Sequence, residues 1–374
     1  MAVPKTTHWE ADPHTKIKHT ILREYLNGWL PIMASWNGRI VFIDGFAGPG
    51  RYSDGAPGSP IIALRALLEH RAFKTPSPDR RFTFLFIEER PDRAEALREE
   101  IALLQTELPF PTTLSHDVTC GTFETEVGAL LDELDRNGDH LAPTLAFIDP
   151  FGFKGLPMSL VARIAKYRKC ECLVTFMYES VNRFLDVDDP KIQEHMQALF
   201  GSDEARTLAA IADPQERFTR ITGLYERRLR EAAGFEYVRT FAMINEGNRV
   251  EYVLCFGTHS PKGLSVMKAA MWKADPGDGC RFSDRTAGSP FLFEPEPDFG
   301  HLERLLRDRF REKGFVDIDE VERFVIVDTP FLSTHVRMKT LAPMERAIPP
   351  RIEVRREPGK KKCSYPDGTK IRFL

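Results

Sequence analysis

Nowhere does this chain of 374 residues keep an apolar run of the ~20 residues that a bilayer-spanning helix needs. Its opening, MAVPKTTHWEADPHTK, has no apolar core of the kind a secretory leader carries. No membrane association is therefore expected, and the expected compartment is the cytoplasm. Cysteine is scarce as well: the six, Cys120, Cys170, Cys172, Cys255, Cys280 and Cys363, include no CxxC pair. That excludes the usual tetrahedral zinc spacing and favours reduced thiols. Cys170-x-Cys172 opens an apolar run, where cysteine behaves as a small hydrophobe, so no metal site is expected. Two phosphate-binding signatures are also missing. No lysine follows Gly50 in the manner of GxxxxGK[ST], and a GxGxxG count from Gly48-Pro49-Gly50 puts Ser53 where the third glycine should stand. No internal repeat is present, which excludes solenoid architectures.

What remains is an ordinary globular composition, 42% hydrophobic and 29% charged, with a net charge of −3. That small net value hides an asymmetry. Pro330 to Leu374 carry 11 Lys and Arg against 4 Asp and Glu, a balance of +7, which leaves −10 on the rest of the chain. A basic tail on an acidic body concentrates any nucleic-acid contact at the C-terminus.

Asp12-Pro13 has the form of an N-cap followed by a first-turn proline, and Ile17, Ile21, Tyr25, Leu26 and Trp29 follow at helical spacing. Residues 1–38 are thus expected to form a helical extension packed on a main domain at 39–280. Within that domain IVFI (40–43), FTFLFI (82–87), LAFI (145–148), CLVTFM (172–177) and YVLCF (252–256) alternate with helical stretches. Strands hydrophobic on both faces and separated by helices predict a doubly wound, Rossmann-like α/β sheet. YVRTFAM (237–243) and VEYVLCF (250–256) predict a hairpin, so that the sheet closes on an antiparallel last strand. A helical insertion is expected at about 180–233, after CLVTFM. A Pro/Gly-rich stretch predicts a linker at 281–298. Beyond it, residues 299–374 read as three helices and a β-hairpin, the order of a small basic winged-helix domain.

Several strand-like runs end in or near an acid: Asp44, Glu88, His116-Asp117, Asp149 and Glu179. In an open α/β sheet the carboxyl ends of the strands line one crevice, and ligands bind there. The first run leads into Asp44-Gly45-Phe46-Ala47-Gly48-Pro49-Gly50, whose glycines allow a ligand to approach the backbone closely. Glu88 can accept both ribose hydroxyls of a nucleoside-containing cofactor. Its alternative role is to cap the helix opening at Pro91. In the run Asp149-Pro150-Phe151-Gly152, Asp149 can accept a hydrogen bond from a substrate amine, Pro150 can fix the neighbouring carbonyls, and Phe151 can stack on a planar base. Cytosine-C5 chemistry is disfavoured, because it needs a cysteine where Phe151 stands. Tyr178 and Asn182 follow the next strand as candidate pocket residues, with core burial the alternative for Tyr178. The loop RYSDGAPG is either a lid or an inert surface loop. In the C-terminal domain His335, Arg337 and Lys339 on a third helix and Lys360, Lys361 and Lys362 in the wing are the candidates for nucleic-acid contact. The alternative is that this domain docks a protein or the body of the chain itself.

VFIDGFAGPG resembles the first motif of class I S-adenosylmethionine-dependent methyltransferases, in the FAGxG form of nucleic-acid-modifying members. More broadly, KHTILREYLNGWLP, FIDGFAGPGRYSDGAPGSP, FIDPFGFKG, HSPKGLSVMKAAMWKAD and the C-terminal segment resemble the bacterial three-Cys-motif partner (TcmP) family. The resemblance implies a seven-stranded methyltransferase sheet and S-adenosylmethionine as cofactor. It implies that Asp44, Gly45, Phe46, Gly48 and Gly50 cradle the methionine part, that Glu88 holds the ribose and that Asp117 lies near the adenine. Asp149, Pro150 and Phe151 fall where such enzymes carry a D/N-P-P-[YF] catalytic motif, although the second proline is missing here. The implied partner is a three-Cys-motif protein similar to radical enzymes, with DNA or RNA reached through the C-terminal domain. Three functions follow as expectations: a methyltransferase acting on a base, a non-catalytic adaptor that keeps the fold, and a phosphoesterase using magnesium on Asp44, Glu88 and Asp149.

Overall fold

The chain was analysed as a computed structural model that describes residues 6–35, 38–73, 79–284 and 297–374. Most of the linker expected at 281–298 lies outside the described residues. Helix α1 (Pro13–Ala34) starts as the sequence predicts: Asp12 Oδ1 accepts the Thr15 amide at 2.6 Å, and Pro13 occupies a first-turn position where no amide donor is missed. Its buried stripe includes His14, Lys18, Ile21, Tyr25 and Trp29, spaced by three or four residues as one helix face requires.

Eight strands form one sheet: β1 (Arg39–Asp44), β2 (Arg81–Glu88), β3 (Leu114–Cys120), β4 (Thr144–Ile148), β5 (Cys170–Phe176), β6 (Tyr237–Ile244), β7 (Val250–Thr258) and β8 (Arg281–Ser283). Their order is β3-β2-β1-β4-β5-β7-β6-β8. β1 to β5 run parallel, and β7 is antiparallel to both β5 and β6. The expected antiparallel strand is present as β7, inserted between β5 and β6. The expected count of seven is corrected to eight. β8 pairs parallel with β6 through Arg281, Phe282 and Ser283, residues that the sequence assigns to the linker. Three residues within a Pro- and Gly-rich stretch are too few for an alternating pattern to register.

The helices that follow the first strands begin at Ser59-Pro60 and Pro91 as expected: α2 (Ser59–Leu68) and α3 (Pro91–Glu107), then α4 (Phe123–Asn137) and α5 (Met158–Ala165). The segment after β5 carries α6 (Tyr178–Phe184), α7 (Pro190–Phe200) and α8 (Pro214–Glu231). These pack on the sheet through a core that includes Ile148, Val174, Phe200 and Leu224, with Phe176 and Tyr225 stacked at 4.3 Å. Burying side chains of this size is worth about 1.5–3 kcal/mol each. The strand order reverses where β1 parts to β2 on one side and β4 on the other. That switch point, beyond the carboxyl ends of β1 and β4, is where open α/β sheets leave a crevice.

The chain divides into two compact units, Met1–Gly263 with Arg281–Ser289, and Leu264–Cys280 with Pro290–Leu374. Helix α9 (Pro261–Ala274) therefore contributes most of its length to the second unit, which the sequence begins only at 299. That unit has α10 (Phe299–Phe310), β9 (Val316–Asp317), α11 (Ile318–Asp328), α12 (Ala342–Arg346), β10 (Ile352–Arg355) and β11 (Lys370–Phe373). Its three strands form an antiparallel sheet in the order β10-β11-β9, with Leu302, Phe310, Val321, Phe331 and Ile371 in the core. The expected third helix is not one regular helix. It opens as a 3₁₀ turn (Ser333–His335), widens into a π turn (Val336–Leu341) and only then becomes α12. Pro343 lacks the amide that a continuous α-helix would use, and Thr340 Oγ1 donates to the His335 carbonyl at 2.9 Å. Among the described residues no helix is long and apolar enough to cross a membrane.

Candidate functional site

The turn after β1 is held from below. The Gly48 amide donates to Glu88 Oε2 at 2.9 Å and the Arg90 amide to Glu88 Oε1 at 3.0 Å, so one carboxylate ties the glycine loop to the start of α3. Gly45 N–H and Ala47 N–H donate to the carbonyls of Phe147 and Ile87, both at 2.9 Å, which suspends the loop between β4 and β2. Gly48 (φ +64°) and Gly50 (φ +80°) lie in the left-handed region, and a Cβ on Gly50 would stand 2.8 Å from Leu97.

Asp44 lies at the base of this loop and is fully buried. Its Oδ1 accepts the Phe46 amide at 3.3 Å, while Oδ2 has no hydrogen-bond partner. Burial raises its pKa to about 7, against the pull of the nearby Ser59 hydroxyl and the Phe46 amide and with help from the charges of Asp149 and Glu88. A buried carboxylate with one oxygen lacking a partner costs free energy, which a cationic or donor ligand would offset.

Above the loop opens a crevice that is partly open to solvent. Its walls include Phe46, Gly48, Gly50, Asp149, Pro150 and Phe151 from the expected set. Two more buried polar atoms without partners, Thr175 Oγ1 and Tyr252 Oη, belong to residues on the same walls. Thr175 Oγ1 and Tyr252 Oη are thus orphaned on the crevice itself and Asp44 Oδ2 at the base of the adjoining loop, a grouping that calls for a physical reason.

Several lining residues escaped the sequence. Lys18 of α1 donates from Nζ to Asp149 Oδ2 at 2.5 Å and sits 5.2 Å from the centre of the Tyr252 ring. Its side chain is only 7% exposed. Lys18 falls on the apolar stripe of α1 between His14 and Ile21, and a lysine in that register was the available signal. The helix that carries it is anchored by Tyr25, whose hydroxyl donates to buried Glu171 at 2.5 Å, and by His14, which bonds Glu251 and the Ile244 carbonyl. Trp9 lies against Gly48, and its carbonyl accepts the Ser53 amide at 2.9 Å. The Trp9 ring meets Tyr52 and Phe151 edge-on at 5.5 and 5.7 Å, with the Arg93 guanidinium 4.5 Å from its centre. The loop RYSDGAPG therefore contributes Tyr52 to the crevice and is joined there by the segment before α1. Burial pushes the His19 pKa down to about 3, with the Lys18 charge adding and Asp149 opposing, so the imidazole beside Tyr52 is neutral.

Other expected residues lie elsewhere. β3 continues through Cys120, so Asp117 sits in mid-strand, hydrogen-bonded to Thr119, beside a shallow hollow with Arg98 and His116 rather than on the crevice. The polar HDVTC sequence conceals the strand because β3 is an exposed edge. Tyr178 is 8% exposed and packs on Phe218 at 5.0 Å, which is the core alternative. Asn182 Oδ1 meets Arg217 at 3.5 Å, and Glu179 pairs with Arg183. Met177, not Tyr178, reaches the crevice. Among the described residues no group of three or more His, Cys, Asp or Glu side chains is arranged to hold an ion.

In the second unit His335 turns inward. Its ring lies 4.7 Å from Trp272, 5.3 Å from Phe299 and 6.1 Å from Phe331, and burial, helped by the charges of Lys268 and Lys339, lowers its pKa to about 4. Arg337 is spent on Glu322 (2.6 and 3.2 Å) and Asp367 (3.2 Å). Lys339, Lys360, Lys361 and Lys362 are exposed, the last three between β10 and β11.

No protein-family model matches the chain, and no curated protein matches its sequence. Among solved structures it is similar to Trm1 from Pyrococcus horikoshii in complex with S-adenosyl-L-methionine (15% identity, TM-score 0.37), covering 70% of this chain and 60% of that one. It is also similar to a candidate methyltransferase from Porphyromonas gingivalis W83 (11%, 0.28), covering 63% and 40%. A third is protein LPL1258 from Legionella pneumophila str. Philadelphia 1 (14%, 0.36), covering 71% and 93%. The chain thus spans less than two thirds of the length of the first two. Likenesses this distant carry no function.

Proposed function

We propose that the first unit binds S-adenosylmethionine and transfers its methyl group to a nucleic-acid base, working with a three-Cys-motif partner in the cytoplasm. The observation that carries this is the buried Asp44 carboxylate, with Oδ2 unpartnered, beneath a left-handed glycine turn braced by Glu88 at the switch point of the sheet. A cofactor with a cationic amino-acid end and a nucleoside end suits that arrangement. The loop glycines and Asp44 would take the amino-acid end, and Glu88, whose oxygens each keep a second lone pair, would take the ribose. When bound, such a cofactor supplies a methyl group activated by a sulfonium centre. Pro150 and Phe151 shape the wall against a flat acceptor, Asp149 orients its polar edge, and Trp9 and Tyr52 exclude water.

Calorimetry with S-adenosylmethionine tests this directly: the wild type binds, and Asp44→Asn and Gly48→Val do not. Absence of binding by the wild type refutes it. One observation favours a second function. Asp149 is already paired with Lys18, as in a non-catalytic adaptor that keeps the cofactor fold. If Asp149→Ala retains cellular function while removal of residues 297–374 abolishes it, the adaptor wins.

For the second unit, the order helix, short strand, helix, irregular helix and hairpin supports a winged-helix module. Its exposed lysines would meet phosphates. Mass spectrometry of nucleic acids from cells with and without this protein identifies the acceptor.

A further inference from the structure

Resting on the methyltransferase function, we propose that Lys18 and Asp149 together form the acceptor-reading pair, and that the pair selects a neutral planar base edge over a protein amine. Lys18 Nζ has three donors, of which one is committed to Asp149 Oδ2. No hydrogen bond from the described residues reaches Asp149 Oδ1. The pair thus offers a donor and an acceptor side by side. A nucleobase presents the complementary combination: a ring nitrogen or carbonyl that accepts, next to an N–H that donates.

The surroundings favour the same class. The ammonium lies over the face of Tyr252, and Trp9, Tyr52 and Phe151 complete a set of aromatic walls. Such rings gain most from a flat, apolar-faced ligand. A lysine or other ammonium substrate meets the opposite of what it needs. The Asp149 oxygen that would hold it already carries a cation, and that cation is 93% buried, so it cannot swing into water without leaving Asp149 uncompensated. Like charges in a partly desolvated crevice repel strongly.

The test uses full-length protein loaded with S-adenosylhomocysteine, the reaction's neutral product. Binding of adenosine, guanosine, cytidine and uridine 5′-monophosphates is measured by calorimetry, beside Nα-acetyl-lysine methylamide as the protein-side probe. At least one nucleotide is expected to bind the wild type and to weaken tenfold or more in Lys18→Met. Lys18→Arg is expected to recover most of the loss, and the lysine probe is expected not to bind. Because Lys18→Met leaves a carboxylate unpaired, the double variant Lys18→Met/Asp149→Asn is measured too. It removes both charges, keeps S-adenosylhomocysteine affinity and thermal midpoint near wild type, and still loses the nucleotide. Nucleotide binding that is absent, or indifferent to Lys18, overturns the proposal, as does tighter binding of the lysine probe. Failure of S-adenosylhomocysteine itself to bind is a different result, since it removes the cofactor function before any acceptor is added.

Discussion

The crevice of the first unit and the hairpin of the second keep their polar side chains differently. In the first, Thr175 Oγ1 and Tyr252 Oη on the crevice and Asp44 Oδ2 at the base of the glycine loop are buried without partners, and Lys18 is drawn 93% out of water to meet Asp149. In the second, two of the six residues that the sequence offered for contact are satisfied within the unit, His335 among aromatic rings and Arg337 between two acids, while Lys339, Lys360, Lys361 and Lys362 stay exposed. Unsatisfied buried polarity stores a cost that a specific ligand can relieve, whereas exposed charge such as Lys360, Lys361 and Lys362 costs nothing to leave in solvent. The difference separates two styles of recognition. Partnerless buried groups suit a few directed bonds to a small ligand, whereas exposed lysines suit a polyanion.

The sharpest way to break this contrast is at the loop. Asp44→Asn keeps the shape and removes the charge, so cofactor affinity is expected to fall at least a hundredfold, about 2.7 kcal/mol. Stability should move the other way. With its folded pKa raised to about 7 against ~3.9 in the unfolded chain, Asp44 makes the native state bind the extra proton. Its contribution is full below about pH 4 and is lost as pH rises toward 7. At pH 8 the Asn variant is therefore expected to melt higher than the wild type, with a flatter stability profile between pH 4 and 7. A variant that loses both affinity and stability would show that Asp44 is structural. Glu88→Ala differs in kind: it leaves the buried Gly48 amide without an acceptor, about 1–3 kcal/mol, and frees the part-buried Arg90 amide, so chemical denaturation should show both loss of stability and loss of binding.

A smaller effect sharpens the other side. His335→Ala empties a site between Trp272, Phe299 and Phe331 and is expected to destabilise the second unit by about 2–4 kcal/mol. Because the folded pKa of His335 is lowered to about 4 from 6.5, the unfolded chain takes up the proton first. Stability is present above about pH 6.5 and is lost as pH falls toward 4, and His335→Phe should remove that dependence in a thermal melt. Loss of nucleic-acid affinity in a folded His335→Phe protein would restore the residue to a contact role.

Where side-chain period and end signals are strong, the sequence was legible. Asp12-Pro13, Ser59-Pro60 and Pro91 marked helix starts, and IVFI, LAFI and CLVTFM marked central strands buried on both faces. β3 and β8 blurred because an edge strand carries polar residues and a three-residue strand has no period. At the site, the glycine loop and Asp149-Pro150-Phe151 were readable because they are contiguous. Lys18, Trp9 and Tyr252 were not, since the fold gathers them from α1, the segment before it and β7, and only packing reveals that a lysine on an apolar stripe has a carboxylate waiting. His335 and Arg337 show the converse. Residue type suggested contact, while in the structure His335 packs among rings and Arg337 pairs with Glu322.

The least dramatic prediction concerns the surface lysines, and it bears most directly on the second half of the contrast. Lys360, Lys361 and Lys362 are exposed and each would neutralise at most one phosphate. Changing all three to alanine is expected to leave the melting temperature within about a degree, as substitutions at exposed sites generally do. If the module binds a polyanion through them, the slope of log K against log salt concentration falls by ~2–3, close to 0.9 per phosphate contact on duplex DNA. Arg337→Ala serves as the internal comparison. Its guanidinium is held by Glu322 and Asp367, so its removal should change stability by about 1 kcal/mol and the salt slope hardly at all. Fluorescence anisotropy with a random-sequence duplex across a salt titration measures both slopes. Equal slopes for the wild type and the triple variant would mean that the lysines merely solvate the hairpin, and that whatever the second unit binds is recognised by shape and apolar contact instead.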